Sequence, residues 1–144
     1  PRIPLIIGGS GDAAIRRTAK YGDGWLGLFC SARRYRDTVQ QIVTAADRPT
    51  WFGLSMWCGF GTNNDDAGEL LGRQLESLYN LPAAKFQHVT AAGAPEQVAE
   101  RLAPYLEAGA RHITIVPVAE SPHEAIEAVA EVRRLLLASS VTTG

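Results

Sequence analysis

The order of apolar runs and helical periods predicts an α/β fold of four βα units with parallel strands. Three observations carry that prediction. Short apolar or alternating runs near residues 5–7, 25–29, 51–58 and 112–116 read as strands. The stretches between and after them repeat their apolar residues with a helical period of 3.6. Glycine, proline or a capping residue stands at most of the junctions. Strands that alternate with helices pair in parallel through right-handed crossovers. Four such units make half of an eight-unit barrel, or a small open sheet.

Leu5 to Ile7 is wholly apolar, the pattern of a strand buried on both faces. Residues 12–21 follow as a helix, with Ala14, Ile15, Thr18 and Ala19 on one face and Gly22 as a C′ glycine that stops it. Trp25 to Phe29 reads as a second buried strand. Ser31 caps the next helix, where Tyr35, Val39, Ile42, Val43 and Ala46 keep the helical period and Pro49 closes the unit. Trp51 to Cys58 alternates, with Phe52, Leu54, Met56 and Cys58 on one face and Gly53, Ser55 and Trp57 on the other.

Gly59 to Asp66 is polar and glycine-rich and reads as a loop. Leu70, Leu71, Leu75 and Leu78 define a third helix, and 81–89 is irregular or a short extra helix opened by Pro82. Pro95 opens a fourth helix that turns Val98, Leu102, Tyr105 and Leu106 inward, carries Pro104 in its interior and ends at Gly109. His112 to Val116 is the fourth strand. Ser121-Pro122-His123-Glu124 combines a capping box with a proline at the first helical position, and the helix it starts buries Ala125, Val129, Val132 and Leu136. One domain over residues 1–138 with a flexible polar tail at 139–144 is the expected organisation.

The 144 residues suffice for one domain with a core, and 46% hydrophobic with 20% charged residues is ordinary for a globular chain. A net charge of −1 offers nothing to nucleic acid or to a membrane surface, and no apolar run nears the ~20 residues a bilayer span needs. Cys30 and Cys58 make no disulfide framework; free thiols fit a reducing, cytoplasmic setting. The chain opens at Pro1, almost directly on a strand and without a signal pattern, which leads one to expect further N-terminal sequence.

Gly8-Gly9-Ser10-Gly11 stands where the first strand ends and a helix begins, the place where α/β proteins bind ligands. Free N–H groups and the positive end of the helix favour phosphate there, and Ser10 adds a hydroxyl. The spacing is not that of the dinucleotide fingerprint, because Ala14 stands three residues after Gly11. A tight turn between strand and helix explains the glycines equally well.

Four segments together resemble the luciferase-like monooxygenase family, flavin- or F420-dependent oxidoreductases built on a TIM (β/α)8 barrel. P-L-I-I-G-G-S-G-D-A-A-I-R-R-T-A-K-Y-G-D-G-W at 4–25 matches the family's strand, small-residue turn, arginine- and alanine-rich helix and D-G-W. G-A-P-E-Q-V-A-E-R-L-A-P-Y-L-E-A-G-A-R-H at 93–112 resembles its later G-T/S-P-E-x-V block, with Ala94 where the family has Thr or Ser. L-E-S-L-Y-N-L-P at 75–82 and V-R-R-L-L at 132–136 add to the likeness. It spans nearly the whole chain but only the C-terminal half of the family's barrel, from about strand five to helix eight.

The resemblance implies that Gly9, Ser10 and Gly11, with the N–H of Asp12, form part of a phosphate site for FMN or F420, the choice between them staying open. The family's catalytic groups come largely from the N-terminal half, and no residue here matches them, so the chain's own status as an enzyme stays open too. The implied function is the cofactor-phosphate-binding half of an oxidoreductase or monooxygenase. The alternatives are a non-catalytic cofactor-binding or structural half-barrel and, more remotely, an unrelated phosphate-binding α/β protein.

Arg33 and Arg34 follow the second strand on the same side as the glycine turn; one of them reaches a phosphate, or both are exposed helix arginines. Cys30 reads as a buried inert thiol, and Trp57 as core packing rather than a platform for a flavin ring. His88, His112 and His123 are scattered and do not form a metal motif. A half-barrel leaves an apolar inner face and two unpaired edges. The expected partner is therefore a second copy, as a homodimer or higher oligomer, or a missing N-terminal half, besides the small-molecule cofactor.

Overall fold

The computed structural model describes residues 2–48, 50–61 and 63–141, with the side chains of 140 and 141 left aside. Its strands are β1 (Ile6–Gly8), β2 (Gly24–Leu28), β3 (Trp51–Gly59), β4 (Ala91–Ala92) and β5 (His112–Val118). Its helices are α1 (Asp12–Tyr21), α2 (Ala32–Ala45), α3 (Asn64–Tyr79), α4 (Pro95–Glu107) and α5 (Pro122–Val141), with a 3-10 turn at Ala83–Lys85. The strands form one sheet, β1-β2-β3-β4, to which β5 adds by pairing with β3. The β1–β2, β2–β3 and β3–β4 pairs are parallel. This is a parallel α/β sheet with flanking helices that resembles part of a (β/α)8 barrel.

The chain forms two compact units. Unit 1 comprises Pro1–Ser55 with Pro104–Thr114, and unit 2 comprises Met56–Ala103 with Ile115–Gly144.

In unit 1, α1 buries Ala14, Ile15, Thr18 and Ala19, as its spacing predicts. The core is aromatic. Trp25 and Tyr35 lie 5.0 Å apart between ring centroids, and Tyr105 meets Tyr35 edge-on at 5.5 Å. All three are fully buried, and both phenols are satisfied. Tyr35 donates to the Gly53 carbonyl at 3.1 Å and Tyr105 to the Cys30 carbonyl at 2.8 Å. Ser31 caps α2 by accepting from the Arg34 N–H.

In unit 2, Met56 and Cys58 continue the buried face of β3 that Phe52 and Leu54 begin in unit 1. Ala67, Leu71 and Leu75 of α3, Val98 and Leu102 of α4, and Val132 of α5 complete this core. Asn63 caps α3 and Ser121 caps α5, each accepting a backbone N–H three residues on.

Several expectations need correction. β1 is not buried on both faces: Leu5 and Ile6 are 52% and 41% exposed, because β1 is an edge that pairs only with β2 among the described strands. β2 stops at Leu28, and Phe29 turns into the left-handed region at φ 48°. Gly22 does not use positive φ; at φ −78° its role is space, since a Cβ there would sit 3.1 Å from the Thr18 backbone. In α2 the buried threonine is Thr38, while Val43 is exposed. Leu78 at the end of α3 is exposed as well.

The loop after β3 is shorter than expected because Asp65 and Asp66 form the first turn of α3, where acidic groups suit the helix dipole. The two-residue strand β4 lies in a stretch without strand periodicity. α5 continues to Val141, so residues 139–141, expected in the tail, are helical: no glycine or proline interrupts them, and the Ser139 hydroxyl donates to the Leu135 carbonyl. Pro49 and residues 142–144 lie outside the described residues.

Candidate functional site

Gly9, Ser10, Gly11 and Asp12 fall together in unit 1, between the end of β1 and the first turn of α1. Gly9 takes φ 99°, a conformation glycine adopts without strain. The Gly11 carbonyl accepts from Ala14 and Ile15, which closes the first turn of α1. The N–H groups of Asp12 and Ala13 precede any intrahelical acceptor, as at every helix start. A Cβ on Gly11 would meet no atom within 4 Å, so open space lies in front of this backbone. Gly8, Gly9, Gly11 and Asp12 are exposed and Ser10 is half-buried. Open space, free donors and the helix dipole favour an anion in front of this turn.

Two side chains outside the turn hold it in shape. Trp25 donates its indole N–H to the Gly9 carbonyl at 2.7 Å. Asp23, two residues before it, accepts the Leu5 N–H at 2.8 Å and pairs with Arg2. The D-G-W segment therefore clamps both ends of β1. The Leu5 N–H, foremost, holds the Asp23 carboxyl below the usual carboxylate range, and Arg2 and Arg48 act in the same direction.

Arg34 is the other addition. Reading it as an exposed helix arginine is right about exposure but misses its contact: its guanidinium donates to the Ser10 carbonyl. Arg34 thus sets a positive charge at the glycine turn from the first turn of α2. A guanidinium carries five N–H donors, so this bond leaves capacity for an anion. Periodicity could not reveal this, because side-chain reach across two βα units follows from sheet pairing. The signal in the sequence was its position just past the second strand.

Cys30 lies near Arg34, and burial pushes its thiol up to about 11, against a smaller opposing pull from Arg34. Cys58 is raised to about 12 by burial. In unit 2, Trp57 meets Tyr79 edge-on at 6.4 Å. In unit 1, His112 lies 5.3 Å from the Trp51 ring. His123 lies 3.3 Å from Glu127, one helical turn on. Among the described residues no three His, Cys, Asp or Glu side chains are grouped to hold a metal, and no helix is long and apolar enough to cross a membrane.

Unit 2 contains a cavity of about 260 Å³ at its strand ends, lined by Phe60, Gly61, Gly93, Pro95, Glu120 and Glu124 among others. An open groove of about 1020 Å³ runs along α3. None of the four predicted site residues lines either.

No protein-family profile matches the sequence, and no curated protein matches it. Solved structures do. An F420-dependent secondary alcohol dehydrogenase, solved with an F420–acetone adduct, superposes with a TM-score of 0.81 at 14% identity, over 94% of this chain and 49% of its own. The coenzyme F420-dependent tetrahydromethanopterin reductase of Methanopyrus kandleri gives 0.73 at 16%, over 93% and 51%. The EDTA monooxygenase of Chelativorans sp. BNC1 gives 0.70 at 17%, over 94% and 44%. The chain thus spans about half the length of the structures it matches. Over that half, its fold resembles that of these F420-dependent enzymes and of this monooxygenase.

Proposed function

We propose that this chain supplies the phosphate-holding part of a flavin- or F420-dependent oxidoreductase of the luciferase-like type. The observation that carries the reading is the glycine turn. An exposed, unobstructed backbone at the start of α1 is joined by the Arg34 guanidinium. Solved proteins of the same fold are described as F420-dependent or as complexes with FMN.

When bound, the cofactor supplies the hydride or oxygen chemistry. The protein's share is orientation. The Asp12 and Ala13 N–H groups and Arg34 would hold the phosphate, and Trp25 and Asp23 would keep the turn in shape from behind. FMN and F420 both fit this part of the site, since both present a phosphate to it. Residues for proton transfer and substrate binding would come from an N-terminal half that completes the sheet, since a second copy brings only the groups this chain already has. A structural or cofactor-binding half-barrel without catalysis is the second reading, since the chain spans about half the length of the structures it matches.

Titration with FMN and with F420 in phosphate-free buffer tests the site. Saturable binding of one of them at or below about millimolar Kd is expected. Absence of binding for both removes the cofactor-site reading.

A further inference from the structure

Two features beside the glycine turn, both within unit 1, call for more negative charge than one phosphate carries. The first is a surplus of arginine. α1 and α2 hold six cations, Arg16, Arg17, Lys20, Arg33, Arg34 and Arg36, against two acids, Asp12 and Asp37. The other charges of unit 1 balance in number, Arg2, Arg48 and Arg111 against Asp23, Asp47 and Glu107. The surplus therefore lies wholly on these two helices. They pack side by side, and because β1 and β2 are parallel neighbours, both helices begin at the end of the sheet that holds the turn.

The second feature is what the arginines forgo. All five are exposed, and none takes part in an ion pair among the described residues. Yet Asp12 stands four residues before Arg16, and Asp37 four after Arg33, spacings at which helical pairs form. Arg33 and Arg34 also occupy the first turn of α2, which contains no acid, and a cation there opposes the helix dipole. Like charges so placed weaken the helices, and an anionic ligand offsets that cost.

We propose that Arg16, Arg17, Arg33 and Arg36 receive a carboxylate-bearing tail that continues past the cofactor's phosphate, which makes F420 rather than FMN the ligand. This deepens the functional reading and rests on its phosphate site. FMN ends in its phosphate. In F420 the phosphate is a diester that continues through a lactyl group into a chain of glutamates, each with a free carboxylate. Arg16 and Arg17 lie four and five residues along α1 from Asp12, about 6–8 Å of helix. Two or three extended glutamates cover that span. A guanidinium matches a carboxylate with paired N–H donors, so successive glutamates meet successive arginines. Asp12 and Asp37 repel the tail but are outnumbered.

Affinity against tail length tests this. FMN, F420 without glutamates and F420 with several glutamates are titrated on the wild-type chain at low and high salt, and on two variants, R16Q with R17Q and R33Q with R36Q. Glutamine keeps helix propensity, and circular dichroism checks helix content. The wild type is expected to bind the long-tailed form about tenfold or more tighter than the glutamate-free form, a gain that shrinks as salt is raised past the screening range. Each variant is expected to lose most of that gain while holding the glutamate-free form within about threefold of the wild type. Equal affinities of the two F420 forms for the wild type, a gain indifferent to salt, or a gain kept by both variants overturns the tail and leaves the phosphate site standing. Binding of FMN without binding of F420 does the same. No binding of any form overturns both. Should a variant lose helix content, the wild-type comparison across tail length and salt decides alone.

Discussion

Arg34 shows what a single residue adds to the site. Its guanidinium binds the Ser10 carbonyl, so it orders the turn and sets a charge at the mouth of the backbone donors. Arg34→Met keeps much of the stem and removes the charge. Loss of a charge-assisted contact is expected to weaken FMN or F420 binding roughly tenfold, while the melting temperature changes little because the side chain is exposed. Equal affinity in the variant would remove Arg34 from the site. Cys30 gives a residue-scale prediction of opposite kind. With its thiol raised to about 11 and Cys58 raised to about 12, both stay protonated at pH 8. Native protein should react slowly with a thiol reagent at pH 8 and quickly once unfolded. Rapid native labelling of Cys30 would show a thiolate that the buried position does not support.

At the scale of elements, packing around β2 makes the sharpest claim. A Cβ on Gly27 would lie 2.8 Å from the Tyr35 ring and 2.9 Å from the Trp25 ring, and both rings are fully buried. Neither has room to yield. Gly27→Ala should therefore cost about 1–3 kcal/mol by overpacking, read as a lower denaturation midpoint. Gly11→Ala, facing open space, should cost far less. Equal midpoints for the two would contradict the packing described. Acid should also loosen β1. The Asp23 carboxyl lies below its unfolded range, so its stabilising effect is complete above that range and fades as pH falls through the lowered value.

The elements themselves were largely legible in the sequence. Helix caps at Ser31 and Ser121, the proline start at Pro95 and the alternation of β3 are local codes, written in neighbouring residues. The misses concern what lies next to an element. Leu5 and Ile6 have the composition of a buried strand, yet burial needs a neighbour on each side, and β1 has one on a single side. Val43 and Leu78 keep a helical period that runs past the width of the covered stripe. β4 is two alanines that pair with the end of β3 because the chain brings them there, with no pattern of their own. The glycine turn was legible as a turn between strand and helix, whereas its supports were not. Trp25 and Arg34 reach it across the sheet, over 16 and 24 residues of chain.

For the whole molecule, charge is divided unevenly: unit 1 has nine Lys and Arg against five Asp and Glu, and unit 2 has five against ten. The glycine turn stands in the basic unit, whose net positive field favours an anion there. That attraction alone does not make a phosphate site, because a general field favours any anion.

The central claim is that the turn from Gly9 to Asp12 binds a cofactor through its phosphate. The most direct measurement compares each cofactor with its phosphate-free form, FMN with riboflavin and F420 with its bare deazaflavin, on the wild-type chain and on Gly11→Asp. Gly11 has φ −82° and open space before it, so aspartate fits there and brings a negative charge without disturbing the fold. The account predicts that one phosphorylated form binds the wild type at least about tenfold tighter than its phosphate-free partner, and that Gly11→Asp erases this difference. Equal affinities of the paired forms for the wild type, or a preference that survives Gly11→Asp, would contradict it.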